Sequence, residues 1–253
     1  MINVSLSIGP QIEIRTIKKV NLKGGTLIDG FPSGGLTNSI ASMCFMKSVL
    51  NDLVSVIDSP DFPPISMVYE GIANFPTRIY ANEDLKVAFL ISELNVDPSF
   101  YYYVSRTILR WARENGCELV ISAGTVLEEG LSDPQKGRGI DSVYGVASTK
   151  RARDRFRDTD MVRELLSGSV SGIPALLLNE GTVKNFDVIV LLGKTIQDTS
   201  EFVPAASVSE AIMRLVPGLS CDTTSLLAHA KTFEQNLRKV RFERKDSAIN
   251  LYQ

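Results

Sequence analysis

The sequence has 253 residues, of which 44% are hydrophobic and 22% are charged, as in an ordinary globular protein. Its 27 basic and 29 acidic residues leave a formal net charge of −2, which argues against nucleic acid or an anionic membrane as the partner. The longest apolar runs, such as 188–192, are too short to cross a bilayer, and the first residues lack the pattern of a secretory signal. We therefore expect a cytoplasmic protein.

Several segments have the pattern of short strands. The first twenty residues alternate apolar and polar side chains around Ile12, Ile14 and Ile17, which predicts an edge strand or a hairpin. Residues 85–93 are apolar almost throughout, which predicts a strand covered on both faces. Apolar runs bounded by turn residues predict further strands at 26–29, 53–57, 65–68, 78–81, 118–122, 142–147 and 187–192.

Helices are predicted between these strands. The clearest one follows Asp97, a good N-cap, has Pro98 in its first turn and ends at Gly116. The side chains on its apolar face are Tyr101, Val104, Ile108 and Trp111. Helical spacing predicts other helices at 36–50, 150–166, 172–183, 204–216 and 222–240. The inward face of the helix at 36–50 is expected to carry Ile40, Met43, Val49 and Leu50.

Alternating strands and helices predict an α/β fold with a mixed, largely parallel sheet flanked by helices. No shift in composition marks a boundary, so residues 1–240 are expected to form a single domain. The long C-terminal helix has a narrow apolar seam that packs either on its own domain or between subunits. This seam consists of Leu226, Ala230, Phe233, Leu237 and Val240. The mostly polar sequence of residues 241–253 then predicts a flexible tail.

Few residues have the pattern of a catalytic or metal site. The cysteines Cys44, Cys117 and Cys221 are far apart, which predicts three buried, reduced thiols. The single histidine, His229, lies in the last predicted helix, where a surface or half-buried position is expected. The tripeptide 193–195 resembles the end of a phosphate loop but lacks the preceding glycines that would cradle a phosphate. We predict no catalytic residue, no metal site and no cofactor.

The loop 30–35 lies between a strand and a helix, where α/β proteins often bind anions. Its glycine spacing differs from that of nucleotide-binding loops, so we favour a tight turn with positive φ and close backbone packing, with a ligand site as the open alternative. The basic runs 151–157 and 238–245 are interrupted by acids, which predicts solvated helix faces or a surface for an acidic protein. The carboxylates expected to be solvated include Glu70, Glu93, Glu128 and Glu129.

Several stretches, in their order and spacing, resemble the proteasome assembly chaperone 2 family. They are Gly30-Phe31-Pro32-Ser33-Gly34-Gly35-Leu36 with the helix after it, 90–93 with the helix 101–111, 142–148, and 172–192 followed by Pro204-Ala205-Ala206. The resemblance covers roughly residues 25–230. It implies a phosphorylase/hydrolase-like fold and an archaeal, non-catalytic chaperone-like protein that forms homo-oligomers and binds the proteasome core.

The final residues Leu251, Tyr252 and Gln253 match the hydrophobic–tyrosine–any tripeptide of proteasome activators and of some members of this family. The resemblance implies that they are the partner-binding residues and enter pockets between adjacent α subunits of the core. Two alternatives stay open. One is a carboxylate–amine ligase of the ATP-grasp type, a label given to some archaeal relatives, and the other is an oligomeric scaffold unrelated to the proteasome.

Overall fold

The computed structural model describes residues 10–33, 35–127, 143–157, 159–195 and 201–222. The strands are β1 (Glu13–Thr16), β2 (Gly25–Ile28), β3 (Asp52–Asp58), β4 (Met67–Tyr69), β5 (Ile72–Asn74), β6 (Thr77–Asn82), β7 (Val87–Ser92), β8 (Cys117–Leu127), β9 (Val143–Ala147), β10 (Val162–Glu164) and β11 (Asp187–Thr195). The helices are α1 (Thr37–Ser48), α2 (Tyr101–Glu114), α3 (Lys150–Arg157), α4 (Gly172–Lys184) and α5 (Phe202–Leu215).

A nine-stranded sheet in the order β1-β3-β6-β7-β2-β8-β11-β9-β10 organises the fold. The strands β7, β2, β8 and β11 form a parallel block at its centre. Their neighbours β6 and β9 pair with this block in the antiparallel sense. Strands β4 and β5 form a separate two-stranded hairpin. The predicted α/β fold with a mixed sheet flanked by helices is confirmed.

Helices cover both faces of the sheet, and the alternation of side chains along each strand explains why. In β2, Leu27 belongs to the core under α2 and α4, whereas the next residue, Ile28, belongs to the core under α1, α3 and α5. Strand β7 is buried at every position, as its apolar sequence predicts. Two cores therefore share one central sheet, whose parallel strands all end at the same edge.

Helix α2 begins and ends as its sequence predicts. The Asp97 side chain accepts a hydrogen bond of 3.0 Å from the amide of Ser99 in a short 3₁₀ turn that precedes the helix. Gly116, with φ of 83°, follows the last turn. On the inward face, the indole nitrogen of the buried Trp111 donates to Ser55 Oγ at 3.0 Å. This contact ties α2 to β3.

Two predicted helices end earlier than expected. Helix α1 stops at Ser48, which leaves Leu50 93% exposed, so its inward placement is wrong. Of the other residues expected on that face, Ile40 is buried, whereas Met43 and Val49 are partly buried against the core. The helix predicted at 150–166 is also wrong beyond 157, because the Phe156 carbonyl accepts hydrogen bonds from the amide and hydroxyl of Thr159 and the chain turns. Strand β10 then pairs with β9.

The prediction of three reduced thiols is wrong for two of the cysteines. Cys44 in α1 and Cys221 after α5 form a disulfide, with Cα atoms 5.5 Å apart and a sequence separation of 177. Packing of α1 against α5 brings them together, around Ile40 and Ala205. Cys117 is a buried free thiol, as expected.

Candidate functional site at the carboxyl edge of the sheet

The residues expected to bind a partner lie outside the described part of the chain. Leu251, Tyr252 and Gln253 follow the last described residue, as do His229 and the predicted helix and tail at 222–253 beyond Asp222. The structure does describe where this segment begins. Val216 and Leu219 are buried after α5, and the disulfide of Cys221 follows. The C-terminal segment therefore begins next to a point that is covalently tied to α1.

At the carboxyl edge of the parallel strands, a fully buried carboxylate connects three elements. Asp29, directly after β2, accepts hydrogen bonds from the Phe31 amide at 2.9 Å, Asn38 Nδ2 at 2.8 Å and Ser122 Oγ at 2.7 Å. Asn38, in α1, also accepts from the Ala123 amide at 2.9 Å. Burial raises the pKa of the Asp29 carboxyl, and these three donors oppose the rise. All of these partners are internal, so Asp29 fixes the loop, α1 and β8 to one another.

A second carboxylate lies at the N-terminus of α1. Glu201, just before α5, accepts hydrogen bonds from the Leu36 amide, from the Thr37 amide at 2.7 Å and from the Thr37 hydroxyl at 3.1 Å. A negative charge at this position is favoured by the helix dipole and by the free amides of the first turn. A side chain of the same chain therefore occupies the place where an α/β fold would hold an anionic ligand.

The described residues of the loop 30–35 pack closely against their surroundings, as predicted. A Cβ atom on Gly30 would lie 2.3 Å from the Leu90 carbonyl oxygen. Positive φ was also predicted there, and this is wrong for Gly30 and Gly35. Ser33 Oγ accepts a 3.0 Å hydrogen bond from the Ile173 amide at the start of α4. A cavity of about 70 Å³ remains beside the loop, which accommodates water rather than a nucleotide.

A buried ion pair contradicts the prediction that Glu93 is a solvated carboxylate. Glu93, after β7, is fully buried, and its Oε1 accepts from Arg78 Nη2 at 2.5 Å and from the Tyr69 hydroxyl at 2.7 Å. The Arg78 guanidinium also lies 5.3 Å from the centre of the Tyr69 ring. Burial raises the pKa of Glu93, against the effect of Arg78, and raises the pKa of Tyr69 to about 12. This cluster attaches the β4–β5 hairpin to the main sheet.

The Arg78–Glu93 cluster was missed because charged residues are rarely fully buried. The only signal in the sequence was a glutamate at the end of the mostly apolar run 85–93 and an arginine at the start of the strand predicted at 78–81. Within the described residues, Glu93 Oε2 and Arg78 Nε and Nη1 have no hydrogen-bond partner. Three other acids were also predicted to be solvated. Glu70 is exposed, as expected, whereas Glu128 and Glu129 lie outside the described ranges.

The arginines of the basic run 151–157 form ion pairs, and their side chains remain partly exposed. Arg151 and Arg155 approach the buried Asp187 at 2.6 and 3.7 Å. Arg153 and Arg157 approach Glu164 at 3.7 and 3.2 Å. These arginines therefore bind α3 to the strands β10 and β11. The second basic run, 238–245, lies outside the described residues.

Neither a metal-binding cluster nor a membrane-spanning helix occurs in the described ranges. No group of three potential metal ligands occurs in them. None of their helices has both the length and the apolar character needed to cross a bilayer. The tripeptide 193–195 forms the end of β11 and pairs with β8. A Cβ atom on Gly193 would lie 2.6 Å from the Cβ atom of Pro204.

Known proteins resemble this chain over most of its length. Residues 27–241 match the model of the PAC2 family. An uncharacterized protein of Methanocaldococcus jannaschii, MJ0106, is 22% identical over 222 residues, which are 88% of this chain and 87% of the relative. Pyrococcus furiosus PbaA, described as an archaeal homolog of proteasome-assembly chaperone, has a TM-score of 0.76 and 24% identity over 94% of this chain and 100% of PbaA. Pyrococcus furiosus PbaB, described as an archaeal proteasome activator, has a TM-score of 0.69 and 20% identity over 91% of this chain and 99% of PbaB.

Proposed function

Because this chain belongs to the PAC2 family, we propose that it is a non-catalytic, chaperone-like protein that binds the proteasome core. The observation that carries the proposal is the similarity over almost the whole chain to PbaA and PbaB, which are described as a proteasome-assembly chaperone homolog and a proteasome activator. In the cytoplasm, the protein would assist assembly or bind immature or mature cores. Its phosphorylase/hydrolase-like domain would serve as a scaffold without a cofactor.

The C-terminal tripeptide supplies the chemistry of the proposed contact. Tyr252 offers an apolar ring and one hydroxyl group. Gln253 would supply the carboxylate that a lysine in a pocket between α subunits can pair with. Leu251 adds apolar contact beside the ring. The polar residues 241–250 would act as a flexible link between this anchor and the domain.

A single short anchor binds weakly, so the proposal includes a homo-oligomer that presents several anchors to the ring. Linked anchors raise the effective concentration of each one after the first has bound. The seam from Leu226 to Val240 is the candidate contact between subunits. The disulfide at Cys221 supports this arrangement, because it fixes the start of the C-terminal segment on the domain.

The hydrogen bonding at the carboxyl edge also supports a role as a scaffold. Catalytic carboxylates need access to a substrate. Here Asp29 and Glu201 are engaged by backbone amides and neighbouring side chains of the same chain. Among the described residues, Glu93 Oε2 is a buried carboxylate oxygen without a hydrogen-bond partner, and the whole Glu93 side chain is buried.

Binding to purified, immobilised proteasome cores tests the proposal directly. We expect deletion of residues 251–253 to weaken binding at least about tenfold, which corresponds to a loss of about 1.4 kcal/mol in binding free energy. Tyr252→Ala should weaken it nearly as much, and Tyr252→Phe should be milder because the ring remains. Tyr102→Ala is the matched control, since Tyr102 is an exposed tyrosine on α2, far in sequence from the tail. If the full and the shortened chains bound the cores with equal affinity, residues 251–253 would not be the anchor.

Two further measurements separate the alternatives. A glycine added after Gln253 moves the carboxylate, so it should weaken binding as the deletion does if that carboxylate is bound. Calorimetric titration with ATP and Mg²⁺ tests the ligase, because measurable binding of ATP would support that alternative. A protein that does not co-elute with cores in any form would instead be an unrelated scaffold.

A further inference from the structure

The disulfide between Cys44 and Cys221 joins the helix α1 to the chain beyond α5. Cys44 lies inside α1, which has further attachments to the domain. The hydroxyl of Ser42 in α1 donates a 2.9 Å hydrogen bond to the Leu90 carbonyl oxygen, and Glu201 accepts hydrogen bonds from the amides at the start of the helix. Helix α1 should therefore keep its place on the sheet when the disulfide is broken.

The other end of the disulfide lies in a short segment that follows a turn. Val216 and Leu219 are buried, and the Leu219 amide donates to the Val216 carbonyl oxygen at 3.4 Å. Between them, Gly218 has φ of 90°, a backbone conformation that glycine adopts readily. The residues on either side of Cys221 are exposed. The disulfide therefore fixes the exposed stretch 220–222 to α1 by a covalent bond.

The two bridged cysteines differ in their access to solvent. Cys44 is 9% exposed, whereas Cys221 is partly buried and lies between exposed neighbours. A thiolate reduces a disulfide by attacking one of its sulfur atoms, and access decides which sulfur is attacked. A reductant should therefore reach the bridge from the side of Cys221. The third cysteine, Cys117, is a buried free thiol in β8.

The proposed function bears on how long such a bridge lasts. Disulfides of cytoplasmic proteins are usually transient, because the cell keeps thiols reduced there; this step rests on the cytoplasmic location in the proposed function. The two cysteines are also separated by 177 positions, so their thiols meet rarely in an unfolded chain. The packing of α1 against α5 brings them together. The bridge therefore forms and breaks as a property of the folded domain.

We propose that Cys44 and Cys221 are a redox-active pair that a cellular dithiol reduces reversibly in the folded protein. A thiolate of the dithiol attacks Cys221 Sγ, the bond between the two Sγ atoms breaks, and Cys44 leaves as a thiolate that takes up a proton. The second thiol of the dithiol then attacks the mixed disulfide and releases Cys221. Two electrons and two protons pass to the pair, and the dithiol becomes a disulfide. Reduction frees residues 220–222 from α1, and the redox state decides whether the C-terminal segment begins at a fixed point.

The redox equilibrium of the full chain tests the pair without proteasome cores, so its failure differs from a failure of the proposed function. The native protein is equilibrated in glutathione buffers from the cytosolic to the more oxidising secretory range, then quenched with acid, alkylated and analysed by mass spectrometry. Cys44 and Cys221 should be mostly reduced at the cytosolic end and mostly bridged at the oxidising end, from either starting state. A bridge that persists at the cytosolic end is a permanent structural disulfide and would overturn the proposal. Two free thiols at the oxidising end would overturn it as well.

Alkylation rates show whether reduction acts locally. In the reduced protein, well below its Tm, Cys221 should react with iodoacetamide at least about tenfold faster than Cys44 and Cys117, because those two thiols stay buried. The variant Cys44→Ser leaves Cys221 without its partner and should show the same rate for Cys221 without any reductant.

The fluorescence of Trp111, the single tryptophan, reports on the fold in the same samples. Its indole is buried and donates to Ser55, so its emission should be the same before and after reduction. A Cys221 that reacts as slowly as Cys117 would show that the segment stays in place, and this would overturn the proposal. A changed Trp111 emission would show that reduction loosens the whole domain, which would also overturn it.

Discussion

Reduction of the disulfide between Cys44 and Cys221 should strongly lower the stability of this protein. The bridge joins α1 to the segment after α5 across a sequence separation of 177. A crosslink that closes so long a loop removes many conformations from the unfolded chain. The chain-entropy relation gives about 5 kcal/mol for this length, and measured values for disulfides are usually about 2–4 kcal/mol.

The expected change in melting temperature follows from this range. A loss of 1 kcal/mol lowers the Tm of a chain of this size by about 2–4 °C. Reduction should therefore lower the Tm by about 10 °C. Cys117 should not interfere, because burial raises the pKa of its thiol to about 12 and keeps it protonated.

Thermal unfolding with and without a dithiol reductant measures the effect. The double variant Cys44→Ser/Cys221→Ser should melt at the lower temperature and should not respond to the reductant. The variant Cys117→Ala is the matched control, and the reductant should lower its Tm as much as it lowers that of the unaltered protein. If the unaltered protein melts at the same temperature in both conditions, while mass spectrometry shows that the bridge has been reduced, the entropic argument is refuted.

Four further substitutions probe the polar groups at the carboxyl edge. Glu201→Ala removes the acceptor at the start of α1 and should cost about 0.5–2 kcal/mol in denaturant unfolding; an unchanged midpoint would contradict the capping role. Arg78→Met leaves the Glu93 carboxylate buried without its charged partner and should cost about 3–5 kcal/mol. Adding Glu93→Leu should recover part of that loss, and a purely additive double variant would argue against coupling. Burial raises the pKa of Asp29 above its ordinary value of 3.8. The stability that the protonated Asp29 carboxyl contributes is therefore fully present below pH 3.8 and is lost as the pH rises through the pKa of the folded state. Asp29→Asn should abolish this part of the pH dependence of unfolding, and a constant difference between the two proteins across pH would show that the carboxyl does not titrate as described.

Much of the architecture could be predicted because it depends on local patterns. The Asp97 cap, the Gly116 stop and the apolar face of α2 are encoded within a few turns of one helix. The apolar run 87–91 of β7 likewise predicts burial on both faces. Element ends were less certain, as α1 and α3 show, since short-range hydrogen bonds decide where a helix stops.

The candidate site was less predictable, because its contacts join residues that are far apart in sequence. Glu201 caps a helix that begins 164 positions earlier. The Glu93 carboxylate lies between β6 and a hairpin that propensity identified only in part. No local pattern reports either contact.

The sequence by itself determined the alternation of strands and helices, the clearest helix boundaries, the resemblance to a family and the C-terminal tripeptide on which the proposed function rests. These features depend on side-chain periodicity and on short motifs, which are written in neighbouring residues. Only the tertiary structure decided that Cys44 meets Cys221, that Glu93 is buried against Arg78 and that Glu201 lies at the N-terminus of α1. The physical reason is that pairing of distant groups depends on how the helices and strands pack, and packing is a property of the whole chain.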